Sequence, residues 1–208
     1  MARLGMAIDT KRCVSCDTCI VACKVENNLP EGMWWNFMEH EGGDAEDKPS
    51  GTYLGGDLAM GCYTRACQQC SNPACVTVCP TGASYVEEAT GIVLVNQEEC
   101  IGCGLCITAC PYDVRQMLEG EPTWVTAFPM GGPGAPAHIA NTVEKCTFCH
   151  HRLLRGEEPF CVEVCPGRAR VFGDLDDPES ESSQLVASRD WDQRNTEAGT
   201  EPNVYLLR

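Results

Sequence analysis

The stretch Cys13-Val-Ser-Cys16-Asp-Thr-Cys19-Ile-Val-Ala-Cys23 decides how the rest of the chain is read, because three later stretches echo it. They are Cys67…Cys70…Cys75…Cys79, Cys100…Cys103…Cys106…Cys110 and Cys146…Cys149…Cys161…Cys165. The first and third are spaced C-x2-C-x2-C-x3-C, the second C-x2-C-x4-C-x3-C and the fourth C-x2-C-x11-C-x3-C. Three runs end in Cys-Pro, at Pro80, Pro111 and Pro166; the first ends in Cys23-Lys24. Sixteen of the 17 cysteines belong to these runs, and only Cys62 is left over.

The spacing of the first and third runs is that of bacterial iron–sulfur ferredoxins. A cubane cluster requires four thiolates around one compact object. Three cysteines of a tight loop reach it, with backbone N–H groups turned toward the sulfides. The fourth, starting or sitting on a short helix, points elsewhere and ligates the other cluster of a pair. Four runs therefore imply four [4Fe–4S] clusters. Zinc ribbons use separated C-x2-C pairs and would leave the third and fourth cysteines of the first and third runs unexplained. A disulfide framework suits short secreted chains, and C-x2-C neighbours close almost no loop.

The second and third runs lie close together without a large insertion, so they make one module. The first and fourth then close over the ends of the chain to make the other. The three-plus-one rule gives Cys13, Cys16, Cys19 with Cys165; Cys23 with Cys146, Cys149, Cys161; Cys67, Cys70, Cys75 with Cys110; and Cys79 with Cys100, Cys103, Cys106. The expected fold class is α+β: two bacterial-ferredoxin-like modules, each binding two clusters, with long loop insertions. The outer module takes residues 1–61 plus 119–173 and the central module 62–118. Residues 174–208 form a C-terminal extension wrapping the surface or a partner.

Composition agrees with a metal-dependent fold. Aromatics are only 7% of 208 residues, so the apolar core is thin and the clusters supply much of the folding energy. Thirty acidic against 15 basic residues give a net charge of −15, and each oxidised cubane with four thiolates adds about −2. Such a surface argues against nucleic acid and anionic lipid. No segment approaches the roughly 20 apolar residues of a membrane span. The start, Met1–Asp9, reads as neither a secretory signal nor a twin-arginine motif. The chain is accordingly expected to enter no membrane and not to export itself.

Leu4–Ile8 reads as a buried strand leading into the first cysteine loop, and Asp17–Lys24 as a short helix. Residues 25–61 form an insertion whose Trp34-Trp35-Phe37 knot either caps a cluster from water or forms a docking patch; Thr52–Leu54 is a candidate strand. Pro73–Cys79 and Gly104–Cys110 are expected as helices, Ala83–Glu87 with Gly91–Val95 as a hairpin, and Val114–Leu118 and Ala169–Phe172 as strands. Residues 119–144 read as a long, functional or contact-making loop. The tail reads as a polar surface wrap ending in the apolar Val204-Tyr-Leu-Leu207. Cys62 reads as a buried free thiol, and His150-His151 as hydrogen-bonding surface residues rather than ligands. Lys24, Lys145, Arg152 and Arg168, adjacent in sequence to cysteines, are candidates to raise cluster potentials or simply to balance charge.

Taken together, these features resemble the four-cluster electron-transfer (beta) subunits of molybdopterin oxidoreductases related to dimethyl sulfoxide reductase. The residues that carry the resemblance are the four runs, Cys106-x3-Cys110-Pro-Tyr112, Pro159-x-Cys161-Val-x2-Cys165-Pro166 and Gly173-Asp-Leu-Asp-Asp-Pro178. The opening Arg3–Asp9 and Gly173–Pro178 resemble the arsenate- and polysulfide-reductase branch in particular. The resemblance implies a non-catalytic relay between a donor, a quinol-oxidising membrane anchor or soluble carrier, and a partner carrying a bis-molybdopterin guanine dinucleotide. It implies that the Cys13 cluster faces that partner. In nitrate-reductase relatives one ligand of the last cluster is a Trp; the matching position here is Cys103, so four cubanes are expected. It further implies a location peripheral to the membrane, outside the cytoplasm by export beside a signal-bearing partner, with the cytoplasm as the alternative. Catechol dehydroxylases and transhydroxylases are built with similar subunits, so the resemblance selects no substrate. A relay for a hydrogenase or formate dehydrogenase is the alternative, though those often carry a C-terminal membrane helix. A catalytic iron–sulfur enzyme would need an open iron site, and sixteen thiolates on four cubanes leave none.

Overall fold

The computed structural model describes residues 2–40, 52, 54–56, 61–128 and 130–208. The helices are short because the cysteine runs dictate their ends. α1 spans Thr18–Glu26, α2 Ala74–Thr77, α3 Leu105–Thr108, α4 His150–Leu153 and α5 Phe160–Glu163. In α1, α2, α3 and α5 the third cysteine of a run (Cys19, Cys75, Cys106, Cys161) is the second residue of the helix. Pro73 and Pro159 stand just before α2 and α5, where a fixed φ and a missing N–H cost nothing. The fourth cysteine is where the runs differ. Pro80, Pro111 and Pro166 cannot continue a helix, so α2, α3 and α5 stop short of Cys79, Cys110 and Cys165. Lys24 imposes no such stop, and α1 carries Cys23 inside it.

Among the described residues, ten strands form one sheet of four and three two-stranded ribbons. The four-stranded sheet, in the order β8-β1-β10-β9, comprises β8 (Arg170–Asp174), β1 (Leu4–Asp9), β10 (Val204–Leu207) and β9 (Trp191–Asp192). β1 runs antiparallel to β8 with Ile8 opposite Arg170, and parallel to β10 with Met6 opposite Val204. The sheet packs Met6, Ile8, Val204 and Leu206 against Ile92, Leu94 and Phe148. A first ribbon pairs β2 (Asn36–His40) with β3 (Cys62–Ala66). A hairpin pairs β4 (Ser84–Val86) with β5 (Val93–Val95), and a third ribbon pairs β6 (Gln116–Met117) with β7 (Val143–Glu144). The first and third ribbons close the two insertions at their bases, so the length of each loop does not disturb the cysteines on either side.

Most expected elements appear with shifted ends. The strand expected at Val114–Leu118 contracts to Gln116–Met117, and its partner across the second insertion, β7, was not foreseen. Residues 119–142 carry no helix or strand among those described. Thr52 and Leu54 are in no strand, and residue 53 lies outside the described residues. The tail differs most. Glu181–Ser188 forms α6, and Val204–Leu207, expected as the apolar end of a surface wrap, is an inner strand of the largest sheet. Its Val204, Leu206 and Leu207 are buried, which is what an apolar tetrapeptide at the end of a polar segment gains by adding to a sheet edge.

Candidate metal centres

All four C-x2-C loops turn the same way. The residue before the second cysteine has a positive φ in each: 53° at Ser15, 48° at Gln69, 64° at Gly102 and 53° at Phe148. The cost of a left-handed non-glycine residue is thus borne three times to make one shape. At Gly102 the space is taken as well, since a Cβ there would run into the carbonyl oxygen of Asn141. The turn folds the first two thiols back toward the third at the helix start.

Three groups of cysteines line common cavities. Cys13, Cys16, Cys19 and Cys165 line the first, with Ile8, Thr64 and Arg170; we call it site A. Cys23, Cys146, Cys149 and Cys161 line the second, site B, with Trp35, Phe148 and again Arg170. Cys67, Cys70, Cys75 and Cys110 line the third, site C, with Tyr112, Arg115 and Thr200. Cys67 also reaches the wall of site B. The remaining four, Cys79, Cys100, Cys103 and Cys106, are the set that the sequence spacing assigns to one cluster, and we call them site D. Cys106 is buried and electrostatically coupled to Cys100, α2 packs on α3, and Cys103 is exposed. Neighbouring sites share residues in the order A, B, C, D: Arg170 between A and B, Cys67 between B and C, Arg115 between C and D.

Backbone and side-chain donors point at sulfur throughout. The Ala169 and Ser84 amides donate to Cys165 and Cys79 at 3.3 and 3.4 Å, and the Phe148 amide donates to Cys146 at 3.4 Å. In site B, Asn27 Nδ2 lies 3.6 Å from Cys23 Sγ and 3.7 Å from Cys149 Sγ. Arg115 Nη2 donates to Cys75 Sγ at 2.9 Å and to Ser84 Oγ at 2.8 Å. Arg170 Nη1 lies 3.6 Å from Cys161 Sγ.

Burial pushes the Cys70 and Cys149 thiols up to about 12, and it raises those of Cys23 and Cys146 as well. Such thiols lose their protons only to a cation that takes the proton's place. At the surface end of site A the direction reverses: hydrogen bonds from Thr18 lower Cys16. Arg115 Nη1 and Arg170 Nη2 are buried with no hydrogen-bond partner. Thiols in fours, amides aimed at sulfur and orphaned guanidinium N–H groups fit a [4Fe–4S] cluster, whose sulfides accept hydrogen bonds.

Three of the four cations picked out by sequence adjacency direct their donors at groups other than sulfur. Lys24 donates to the Met33 carbonyl at 2.9 Å and lies over the Trp34 ring. Lys145 donates to the Cys146 carbonyl at 3.0 Å, and Arg152 pairs with Glu26, Glu157 and Glu163. Adjacency does not fix which way a long side chain runs. Arg115 and Arg170, which do reach sulfur, each stand five residues beyond the cysteine of a Cys-Pro, and that repeated offset was the available signal. His138 was also missed: buried against Trp35 and Trp124, it bonds Glu144 at 2.8 Å and the Asn27 carbonyl at 2.9 Å. His150 and His151 pair with Glu87 and Glu26. Of the aromatic knot, Trp35 lines site B while Trp34 is partly exposed.

Comparison with known proteins places this arrangement. The profile of the 4Fe–4S dicluster domain matches residues 58–127 and again 116–175. Over its whole length the sequence is 43% identical to a Halobacterium salinarum protein named as a dimethyl sulfoxide reductase iron–sulfur subunit, covering 79% of it. It is 38% identical to the iron–sulfur subunit of the arsenate respiratory reductase of Shewanella sp. strain ANA-3, over 99% of this sequence and 96% of that one. It is likewise 38% identical to a component of the polysulfide reductase of Wolinella succinogenes, over 99% and 94%. The protein belongs to this family of 4Fe–4S iron–sulfur reductase subunits. Among the described residues, no helix is long and apolar enough to cross a membrane.

Proposed function

We propose that the chain is the non-catalytic electron-transfer subunit of a reductase complex, relaying electrons through four [4Fe–4S] clusters between a quinol anchor or soluble carrier and a molybdopterin-containing catalytic subunit. Cys13, Cys16, Cys19 and Cys165 hold the first cluster, and Cys23, Cys146, Cys149 and Cys161 the second. Cys67, Cys70, Cys75 and Cys110 hold the third, and Cys79, Cys100, Cys103 and Cys106 the fourth. When bound, each cluster supplies a one-electron couple.

The observation that carries this reading is the linear sharing of Arg170, Cys67 and Arg115 between successive sites. It supports a wire whose inner sites are sealed and whose end sites each keep one exposed cysteine, Cys16 and Cys103. The protein's own residues do the rest. Trp35, Phe148 and Ile8 keep water from site B, Val93 and Tyr112 do so at site C, and Asn27 with the backbone amides orients the sulfurs. The relatives named above are reductase subunits, and no observation favours a hydrogenase or formate dehydrogenase instead. The relatives are named for arsenate, polysulfide and dimethyl sulfoxide reduction, which supports a reductase partner of that type, with this chain peripheral to the membrane as the resemblance implies.

Protein purified without oxygen is expected to hold about 16 iron and 16 acid-labile sulfide per chain, four of each per cubane. It is expected to reduce no small-molecule substrate by itself. An iron content near eight, or turnover by the isolated chain free of molybdenum, overturns the reading.

A further inference from the structure

Arg170 and Arg115 occupy equivalent places. Each follows a Cys-Pro by the same count, in Cys165-Pro-Gly-Arg-Ala-Arg170 and Cys110-Pro-Tyr-Asp-Val-Arg115. Each leaves the same turn, with a positive φ of 45° at Arg168 and 50° at Asp113. Each is buried, with relative exposures of 6% and 3%. Neither pairs with a carboxylate among the described residues, whereas Arg3, Arg65, Arg152, Arg189, Arg194 and Arg208 all do.

A guanidinium sealed from water without a carboxylate is strongly unfavourable unless another anion faces it. Here the facing groups are cysteines from two sites at once. Arg170 touches Cys161 of site B and interacts electrostatically with Cys19 and Cys165 of site A. Arg115 touches Cys75 of site C and interacts electrostatically with Cys106 of site D. Each keeps one buried nitrogen without a partner.

We propose that Arg170 and Arg115 are positioning residues that set reduction potentials in pairs, Arg170 for sites A and B and Arg115 for sites C and D. The proposal rests on the four-cluster reading given above. A fixed positive charge favours the added electron on either neighbouring cluster, and in a water-poor interior its reach covers both and fades toward the other pair. Because one charge serves two sites, it lifts both potentials together and leaves the step between them nearly level. A charge beside only one site would make that step uphill in one direction. The alternative role, a cation that merely balances thiolates so that the loop folds, predicts loss of iron without a paired shift.

The test uses the full-length iron-loaded chain carrying Arg170→Met, Arg170→Lys, Arg115→Met or Arg115→Lys. Iron per chain is measured first, then the midpoints of all the cluster signals by electron paramagnetic resonance during a redox titration. With Arg170→Met, two midpoints are expected to fall by at least tenfold in the reduction equilibrium, 59 mV for one electron, with iron retained. With Arg115→Met the other two are expected to fall. Each Lys variant restores most of its pair, since it keeps the charge and loses only the fork. Overturning results are a shift confined to one signal, the same signals moving in both Met variants, or unchanged midpoints at full iron. Where the Met variants lose iron, Arg170→Gln and Arg115→Gln, which keep hydrogen-bond donors without the charge, take their place: iron lost again, or full iron with no paired fall, makes the role structural and overturns the proposal. Fewer than four signals at full occupancy of the unmutated chain would instead fault the four-cluster reading, so the two failures are distinct.

Discussion

The cysteines of sites C and D lie within residues 67–110, whereas those of sites A and B come from residues 13–23 and 146–165. The central pair closes locally: α2, the β4–β5 hairpin and α3 follow one another, and no strand there exceeds three residues. The outer pair must bring together the two ends of the chain, and the four-stranded sheet does it. β1 ends four residues before Cys13 and β8 begins five after Cys165. The Ile8–Arg170 register, with the Asp9 amide donating to the Ala169 carbonyl at 2.7 Å, sets those two cysteines side by side. One residue of slip would turn the buried Met6 and Ile8 outward and move Cys13 off site A. A site assembled from sequence neighbours needs little scaffold, and the same site assembled from distant segments needs a sheet.

The largest effect should come from removing that scaffold. Val204, Leu206 and Leu207 are buried and contribute roughly 1.5–3 kcal/mol each, a sizeable share of the 5–15 kcal/mol that typically separates folded from unfolded chains. A chain ending at Asn203 is expected to lose sites A and B and keep C and D, so that iron falls by about half. Unchanged iron would show that β10 is dispensable. Iron lost equally from all sites would show that the two pairs fold as one unit.

Next in size is a difference between the two exposed ends. The family resemblance puts site A toward the molybdenum partner and site D toward the donor. Cys103→Ser should depress turnover driven by the natural donor by about tenfold or more, since ligand identity sets potential, while a small artificial reductant entering further along still supports turnover. Cys16→Ser should depress both. Donor-driven turnover that survives Cys103→Ser, or electron delivery that survives Cys16→Ser, reverses the polarity.

A smaller effect is expected where the pairs are joined. Asn203 Nδ2 donates to the Gln69 carbonyl at 2.7 Å and to Ser71 Oγ at 3.0 Å, and its carbonyl accepts from the Met6 amide at 3.0 Å. Gln69 in turn donates to the Cys146 carbonyl at 2.8 Å and accepts from the Val93 amide at 2.9 Å. Asn203→Ala leaves buried partners unpaired, at about 1–3 kcal/mol, and a chain of this size loses roughly 2–4 °C of Tm per kcal/mol. A calorimetric Tm within about 1 °C of the unmutated chain, below the floor of that range, would mean that the junction is held elsewhere.

What the sequence discloses follows the same division. Spacing within a run is a local property, and it foretells the helices that open one residue before Cys19, Cys75 and Cys106 and the β4–β5 hairpin. The pairing of β1 with β10 depends on residues almost two hundred positions apart, and nothing in Val204-Tyr-Leu-Leu207 itself says which edge it will join. For the site, the cysteines announce themselves, because each is one of a patterned four. Arg115 and Arg170 are single residues in unremarkable surroundings, legible only by overlaying the segments after the two Cys-Pro steps. Lys24, Lys145 and Arg152 looked better placed because sequence distance was standing in for direction.

The smallest expected effect concerns the cysteine outside the pattern. Cys62 opens β3, is buried, and meets the Ser15 hydroxyl in the loop between Cys13 and Cys16. Strand alternation puts it on the same face as Thr64, which lines sites A and B. It is therefore a buried thiol close to site A, and the expectation for such a residue is packing. Cys62→Ser should leave iron and sulfide unchanged and cost about 1 kcal/mol, as a polar hydroxyl replaces a soft buried sulfur. The sharper version combines it with the end-site variant. If Cys62 is only packing, Cys16→Ser and Cys16→Ser with Cys62→Ser should hold the same iron. If the double variant holds about four fewer, one cubane's worth, then Cys62 takes the place of a missing Cys16, and the outer pair has a reserve ligand for which the central pair has no counterpart in sequence.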